Sequence, residues 1–380
     1  MPLTPRMIEA LTTWRSLGGP DVLGAKIRTA EKLGVSYRRC QQLIAKALEY
    51  ESLPEGVQHA ISATATHGAA RAGWRKIRHE DGSGESVYWR TPEPQADPGA
   101  WVEAIREGLA DLRAAPARIA SPPSPLQIMA VFPVADLHVG MLADPDETGT
   151  AWDSKIGGRV FADAFERLVR VAPAGDCALL AQLGDLTHTD DQRNVTPQSG
   201  HQLDADTRFF KVLRSAVATM KAAIETLRER YPRVIYRGQR GNHDMNVHHA
   251  VTLALAEHYR DCPDVEIAAS PADVHVREWG RTLLVLHHGD RIRPDRLAHF
   301  VAAEYPAQWG RTRHRLALSG HVHHQRVHEV GGLVCESVGT IVPRDAWARS
   351  HGYTARRGLV AIALHREDGE IGRCRVGVGP

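Results

Sequence analysis

Apolar residues in this chain follow two rhythms. From Leu126 onward, short continuous apolar runs read as buried strands: Met129 to Val134, Cys177 to Leu183, Val234 to Arg237, Thr282 to Leu286 and Leu316 to Ser319. Between the earlier runs, Phe161 to Val171 and Phe209 to Arg230 carry apolar residues at helical spacing. Past Val274 the helical signals thin out and strand signals dominate, with further runs at Val274 to Trp279, Leu333 to Val338, Gly358 to Leu364 and Ile371 to Val376. That order predicts an α/β fold with two facing sheets and helices outside them.

Ahead of that region the pattern is helical. Lys26 to Leu48 reads as two short helices with a turn at Gly34, with Ala30, Cys40, Leu43 and Ile44 at the spacing of a helix-turn-helix. Glycine permits the left-handed turn, and Ser36 is placed to cap the second helix. That helix would present Tyr37, Arg38, Arg39, Gln41 and Gln42, side-chain types that reach phosphates and base edges in a major groove. A small helical packing module is the plainer alternative. Gly73 to Arg78 and Glu85 to Arg90 flank a Gly-rich turn and predict a β-hairpin, either a basic, aromatic wing or a structural cover. Trp101 to Leu112 has helical spacing, and Ala115 to Pro125, with its Ser-Pro-Pro-Ser-Pro run, reads as a linker. The expected organisation is a helix-turn-helix module over 1–52, a hairpin, helix and linker over 53–124, and a larger domain over 125–380.

The 380 residues and 43% hydrophobic content suffice for two cores. Five cysteines, scattered and without a C-x-x-C pair, argue against a zinc knuckle or disulfide framework and fit a reducing cytoplasm. No long apolar run follows Met1, so neither a signal peptide nor a membrane partner is expected. Net charge is only +2, but residues 1–50 hold eight Lys/Arg against four Asp/Glu, a local excess that suits a phosphate backbone.

The chemistry sits just after the strands. Five segments in order are Asp136-Leu137-His138, Gly184-Asp185, Gly241-Asn242-His243-Asp244, His287-His288-Gly289 and Gly320-His321-Val322-His323. Carboxylate, imidazole and amide oxygen are the ligands that hold pairs of Mn, Fe or Zn ions, and one carboxylate can bridge both. Each segment alone is a weak signal; five in order, each at a strand end, are a strong one.

This pattern resembles the calcineurin-like metallophosphoesterase superfamily from about Leu126 to the C-terminus. Gly184-Asp185-Leu186-Thr187-His188 and Gly241-Asn242-His243-Asp244 look most like its DNA-repair exonuclease (SbcD-type) branch. The layout with a helix-turn-helix in front, and Arg344-Asp345-Ala346-Trp347, also resembles phage and prophage phosphoesterases. The resemblance implies a four-layer α/β/β/α sandwich and two divalent ions, Mn first, with Fe, Zn, Ni or Mg as alternatives. It implies Asp136, His138 and His323 around one ion, Asn242, His288 and His321 around the other, and Asp185 bridging. A water held between the ions as hydroxide would attack phosphorus. His243 would face the scissile phosphate as acid or charge stabiliser, with Asp244 orienting its imidazole. His287 falls behind the ligands or in the core, because strand alternation sends it opposite His288. His188, Asp190 and Asp191 either line the substrate side or form a solvated acidic loop. His324 and His328 read as structural or exposed, and His248 and His249 as surface residues at a helix start.

Such a core does not choose its substrate. The N-terminal module and a basic, aromatic cluster, Arg344, Trp347, Arg349, Tyr353, Arg356 and Arg357, favour DNA. The expected activity is a metal-dependent DNA phosphodiesterase, an exonuclease or endonuclease, in a bacterial or phage-infected cytoplasm. The alternatives are a small-molecule phosphoesterase with a docking module, and a DNA-binding regulatory protein with a residual metal site. SbcD-type enzymes pair with an ATPase, but no feature of this chain identifies one, and homo-oligomer formation stays open.

Overall fold

A computed structural model describes residues 5–21, 24–51, 72–78, 84–90, 113–118 and 126–379 other than 353 and 355. The chain divides into two compact units, Met1–Ala96 and Asp97–Pro380.

In the first unit, α1 (Pro5–Ser16), α2 (Ala25–Leu33) and α3 (Tyr37–Glu51) close around Met7, Leu11, Trp14, Ala30, Cys40, Leu43 and Ile44. The turn between α2 and α3 passes through Gly34 at φ 62°, where a side chain would be strained. Ser36 accepts a hydrogen bond from the Arg39 N–H at 3.3 Å, the N-cap of α3. Helix α1 supplies the third wall of this core, which the helix-turn-helix pattern alone does not announce. Strands β1 (Ala72–Arg78) and β2 (Gly84–Arg90) pair antiparallel as the expected hairpin. The helix expected over Trp101 to Leu112 lies outside the described residues.

The second unit is a four-layer sandwich. One sheet has six strands in the order β13-β12-β3-β4-β5-β6: β3 (Ile128–Val134), β4 (Cys177–Gln182), β5 (Val234–Gly238), β6 (Val265–Ile267), β12 (Gly358–His365) and β13 (Gly369–Gly377). The other has five, β10-β11-β9-β8-β7: β7 (Val274–Trp279), β8 (Thr282–His287), β9 (His314–Ser319), β10 (Arg326–Val330) and β11 (Leu333–Ser337). Alternation sends Val131, Leu179 and Ile235 inward against Leu284, Leu286, Leu316 and Leu318, which forms the core between the sheets. The opposite faces of the same strands, Phe132 and Leu180 among them, pack beneath three helices: α5 (Ser154–Val171), α6 (Phe209–Arg228) and α7 (Val247–His258), which follow the short α4 (Pro145–Thr148).

Two details differ from the sequence expectation. Strands do dominate after Val274, as expected, but one packed helix there has no counterpart in the sequence reading. Helix α8 (Pro294–Glu304) seats Leu297, Ala298 and Val301 on the outer face of the five-stranded sheet, with Pro294 in its first turn. Nor is the stretch after Ala115 all free linker. Ala115 is buried, its N–H donates to the His258 carbonyl at 2.7 Å, and Arg228 donates to the Pro116 carbonyl.

Parallel order is what matters for function. Strands β3, β4 and β5 are neighbours in parallel, as are β8 and β9. Their C-terminal ends therefore emerge at one edge of each sheet, and every ligand-type segment follows one of them.

Candidate metal centre

The loops after these strands are held in an unusual backbone. Among the described residues, seven non-glycine residues have positive φ, and five of them are Asp136 (53°), His138 (43°), Asp185 (49°), His321 (69°) and His323 (57°). Side chains seldom tolerate this region, and such strain persists where surrounding structure over-determines it. Close approach does so here. A Cβ on Gly241 would fall 1.9 Å from Asp185 Oδ1, and one on Gly184 would fall 2.4 Å from His288 Nδ1. No other residue type allows the loops to pack this tightly.

Three groups of side chains converge, with ligand atoms within 4.8 Å of one another: Asp136, His138 and His323; Asp185, His288 and His321; and His138, His188 and His243. Asn242 joins the second group, with Oδ1 3.0 Å from His288 Nε2. Asp185 Oδ2 lies between the groups, 3.4 Å from His288 Nε2 and 3.9 Å from His138 Nε2. His323 Nε2 is 3.6 Å from Asp136 Oδ1 and 3.2 Å from His138 Nε2.

The donor set fits a pair of dications. The Leu183 carbonyl can only accept, so His288 Nδ1 carries a proton and donates to it at 2.8 Å, which leaves Nε2 facing the Asp185 and Asn242 oxygens. Burial opposes a proton on that imidazole, but the Asp185 carboxylate outweighs it and pushes His288 up to about 10. Burial likewise opposes ionisation of Asp185, yet His288 and His243 hold its carboxyl well below the usual range. His138 is driven the other way, by burial and then by His243. The site thus favours positive charge beside Asp185 while keeping His138 neutral, the form that ligates.

The supporting contacts correct several expectations. Asp244 does not reach the His243 imidazole. It is fully buried, and its oxygens accept backbone N–H bonds from Gly241 (2.7 Å), Leu186 (2.8 Å), Asp185 (3.2 Å) and Thr187 (3.4 Å). It therefore ties the loop after β4 to the loop after β5. The His243 ring instead donates from Nδ1 to the His188 carbonyl at 2.9 Å, and its backbone N–H donates to Asp185 Oδ1 at 2.8 Å. His188 and Asp190 are not a solvated loop. His188 is buried with Nδ1 3.3 Å from His138 Nδ1, and burial, then His243, lower it to about 3. Asp190 Oδ1 accepts the N–H groups of Asn246 and Val247, capping α7. Only Asp191 is local, paired with Arg193. His248 is buried within α7 rather than on the surface, and His287 is buried in β8. His324 is half-buried and His328 exposed. Thr340, absent from the sequence reading, donates through Oγ1 to the Asp136 carbonyl at 2.7 Å. Its signal was slight: a hydroxyl after a glycine.

Farther out, Arg357 packs over the Trp152 ring and donates to the Ile341 carbonyl, so it is a structural member of the C-terminal basic cluster. Arg344, Arg349 and Arg356 are exposed; Tyr353 and the Trp347 side chain lie outside the described residues. In the first unit Tyr37, Arg38, Arg39, Gln41 and Gln42 are all exposed on α3, opposite its buried Cys40, Leu43, Ile44 and Ala47.

No family model and no curated protein matches this sequence. Among solved structures, the chain is similar to a conserved uncharacterized protein from Streptococcus pneumoniae, described as a predicted phosphoesterase, at 15% identity, covering 66% of this chain and 98% of that one, TM-score 0.28. It is similar to Vps29 complexed with Zn from Entamoeba histolytica at 17% identity, covering 66% and 99%, TM-score 0.27. It is also similar to the phosphoesterase Yfce from E. coli at 15% identity, covering 65% and 98%, TM-score 0.29. Likeness at this level leaves the chemistry to be read from the side chains themselves. Among the described residues, no helix is long and apolar enough to cross a membrane.

Proposed function

We propose that this protein is a two-metal phosphoesterase of the calcineurin-like type, acting on phosphodiester bonds of DNA. The observation that carries the reading is the pair of ligand groups on either side of Asp185, built on strained backbone at adjacent strand ends. Asp136, His138 and His323 would hold one divalent ion, Asn242, His288 and His321 the other, and Asp185 both; Mn fits these donors, as do Fe, Zn and Ni. Bound there, the ions would supply Lewis acidity toward a phosphoryl oxygen and lower the pKa of an attacking water.

The chain's own residues do the rest. His243 Nδ1 is committed to the His188 carbonyl, so Nε2 is its working nitrogen. When the ring is protonated, Nε2–H can donate to the leaving oxygen; when neutral, it returns to an acceptor. The same backbone carbonyl fixes the ring's orientation, the part expected of Asp244. His188 Nδ1 can accept a hydrogen bond from His138 Nδ1–H, the tautomer that turns the His138 Nε2 lone pair toward Asp185.

DNA is supported by the first unit, where α3 offers Tyr37, Arg38, Arg39, Gln41 and Gln42 to a groove, and by the exposed Arg344, Arg349 and Arg356. The test is a panel of single- and double-stranded DNA and small phosphodiesters, assayed with Mn²⁺, Mg²⁺, Ni²⁺ or Zn²⁺, beside direct metal counting. Two bound ions with faster turnover of DNA than of small diesters is the expected result. Turnover of small esters alone would leave the first unit as a docking module, and two tightly held ions with no turnover would make the site residual.

A further inference from the structure

Directly after β5, Arg240 sits between the two sheets at the candidate metal centre, with its side chain 8% exposed. Its Nε contacts Asp273 Oδ1 at 2.5 Å; Nη1 reaches Asp290 Oδ2 at 3.2 Å and donates to the Gly241 carbonyl at 3.1 Å; Nη2 lies 3.5 Å from Asp290 Oδ1. Asp290 follows His288-Gly289 on the loop after β8. Asp273 immediately precedes β7, and Val274 pairs with His287, so the two carboxylates flank His288 from its own strand and from the neighbouring one. The guanidinium therefore holds the carbonyl of Gly241, the residue just before Asn242, through Nη1, and the carboxylates on both sides of His288 through Nε, Nη1 and Nη2.

We propose that Arg240 is a positioning residue that sets the distance between Asn242 and His288 and so the affinity for the second ion. The proposal rests on the two-metal reading. Asn242 and His288 come from different sheets, and their ligand atoms stand 3.0 Å apart. A neutral bond from Gln239 Nε2 to the Leu286 carbonyl also spans the sheets nearby, at 3.1 Å. Arg240 adds a planar, multiply bonded clasp that a point charge cannot reproduce. Arg291 pairs with Asp273 at 2.8 Å, so two arginines offset two aspartates and the network adds no net charge to the centre.

Charge and geometry predict opposite signs. Removing a cation beside a dication site would tighten metal binding through Coulomb's law alone. Loss of positioning would weaken it, and outer-shell partners of metal ligands are typically worth about 10- to 100-fold in affinity. The experiment is calorimetric Mn²⁺ titration of the metal-free full chain, beside its thermal unfolding in chelator. Arg240→Met should weaken one of the two binding steps, that of the ion held by Asn242 and His288, by roughly 10- to 100-fold and leave the other within about twofold. Arg240→Lys keeps the charge but spans one partner at a time; it should weaken the same step toward the tenfold end and serves if the Met variant does not fold. Lower unfolding temperatures with both affinities unchanged would overturn the proposal and make the clasp structural only, as would tighter binding in the Met variant. If the parent chain binds fewer than two ions, the two-metal reading falls and the clasp with it.

Discussion

The metal end of the sandwich and the outer face of α3 both carry the residues expected to meet a nucleic acid, and they are built in opposite ways. At the metal end, polar atoms are individually held and several are buried: four backbone N–H groups grip Asp244, a backbone carbonyl fixes His243, and five of the candidate ligands sit at positive φ. On α3, Tyr37, Arg38, Arg39, Gln41 and Gln42 are exposed on a helix held only from behind by Cys40, Leu43, Ile44 and Ala47. Small displacements should therefore ruin the first region, whereas the second should lose function in increments, one side chain at a time.

The largest effect should come from Asp185→Asn. One carboxylate lies between both ligand groups, so its loss should release at least one ion and cost several kcal/mol of transition-state stabilisation, about 10³-fold or more in turnover. Two ions retained at full activity would refute the bridge. Gly241→Ala tests the same region without replacing a ligand: its Cβ would fall 1.9 Å from Asp185 Oδ1 and displace that carboxylate, so metal content should drop although every donor is present. An unchanged metal count in this variant would show that the loops are less constrained than their packing implies. His243→Ala should keep both ions and lose roughly 10²- to 10⁴-fold in turnover of DNA. The loss should shrink on a diester with a p-nitrophenolate leaving group, which needs little protonation; equal losses on both would assign His243 to charge stabilisation.

The α3 face should respond more gently. Replacing Arg38 and Arg39 by Ala should weaken duplex binding and reduce the slope of log affinity against log salt by roughly one for each phosphate that is no longer neutralised. Cleavage of a small chromogenic diester should not change. A double variant that binds and cuts long DNA like its parent at moderate salt would remove this unit from substrate delivery.

The same contrast governs what could be read before the structure. The ligand segments were legible because strand runs place them and because few other roles need aspartate, asparagine and histidine at successive strand ends. The α3 face was legible because amphipathic spacing separates Cys40, Leu43 and Ile44 from their polar neighbours. The contacts between loops were not legible. Asp244 follows a histidine in sequence, but its partners, Asp185 to Thr187, arrive from another strand, so adjacency suggested the wrong role. Asp190 looked like a solvated loop residue because its partner, the start of α7, lies 56 residues away. Helix α8 was hidden for a different reason: few apolar positions hold it, in a stretch where strand signals dominate.

The smallest predicted effect concerns acid stability, and it belongs to the buried side of the comparison. His248 is 4% exposed, its Nδ1 has no hydrogen-bond partner among the described residues, and burial, then the adjacent His249, lower it to about 3. In the unfolded chain its pKa returns to about 6.5. Between those values the unfolded state binds a proton that the folded state refuses, so stability falls as pH drops below about 6.5 and continues to fall toward 3. For one such group, the loss between pH 7 and pH 5 is about 2 kcal/mol. His248→Leu removes the titrating ring and keeps the site apolar. Denaturant unfolding of parent and variant at those two pH values should show the acid-induced loss reduced by about that amount in the variant. The loss should not vanish, because His287 and His275, each lowered to about 4 by burial first, titrate in the same sense. An identical acid-induced loss in both proteins would mean that His248 is protonated within the fold, and that α7 opens to water where the packing shows it closed.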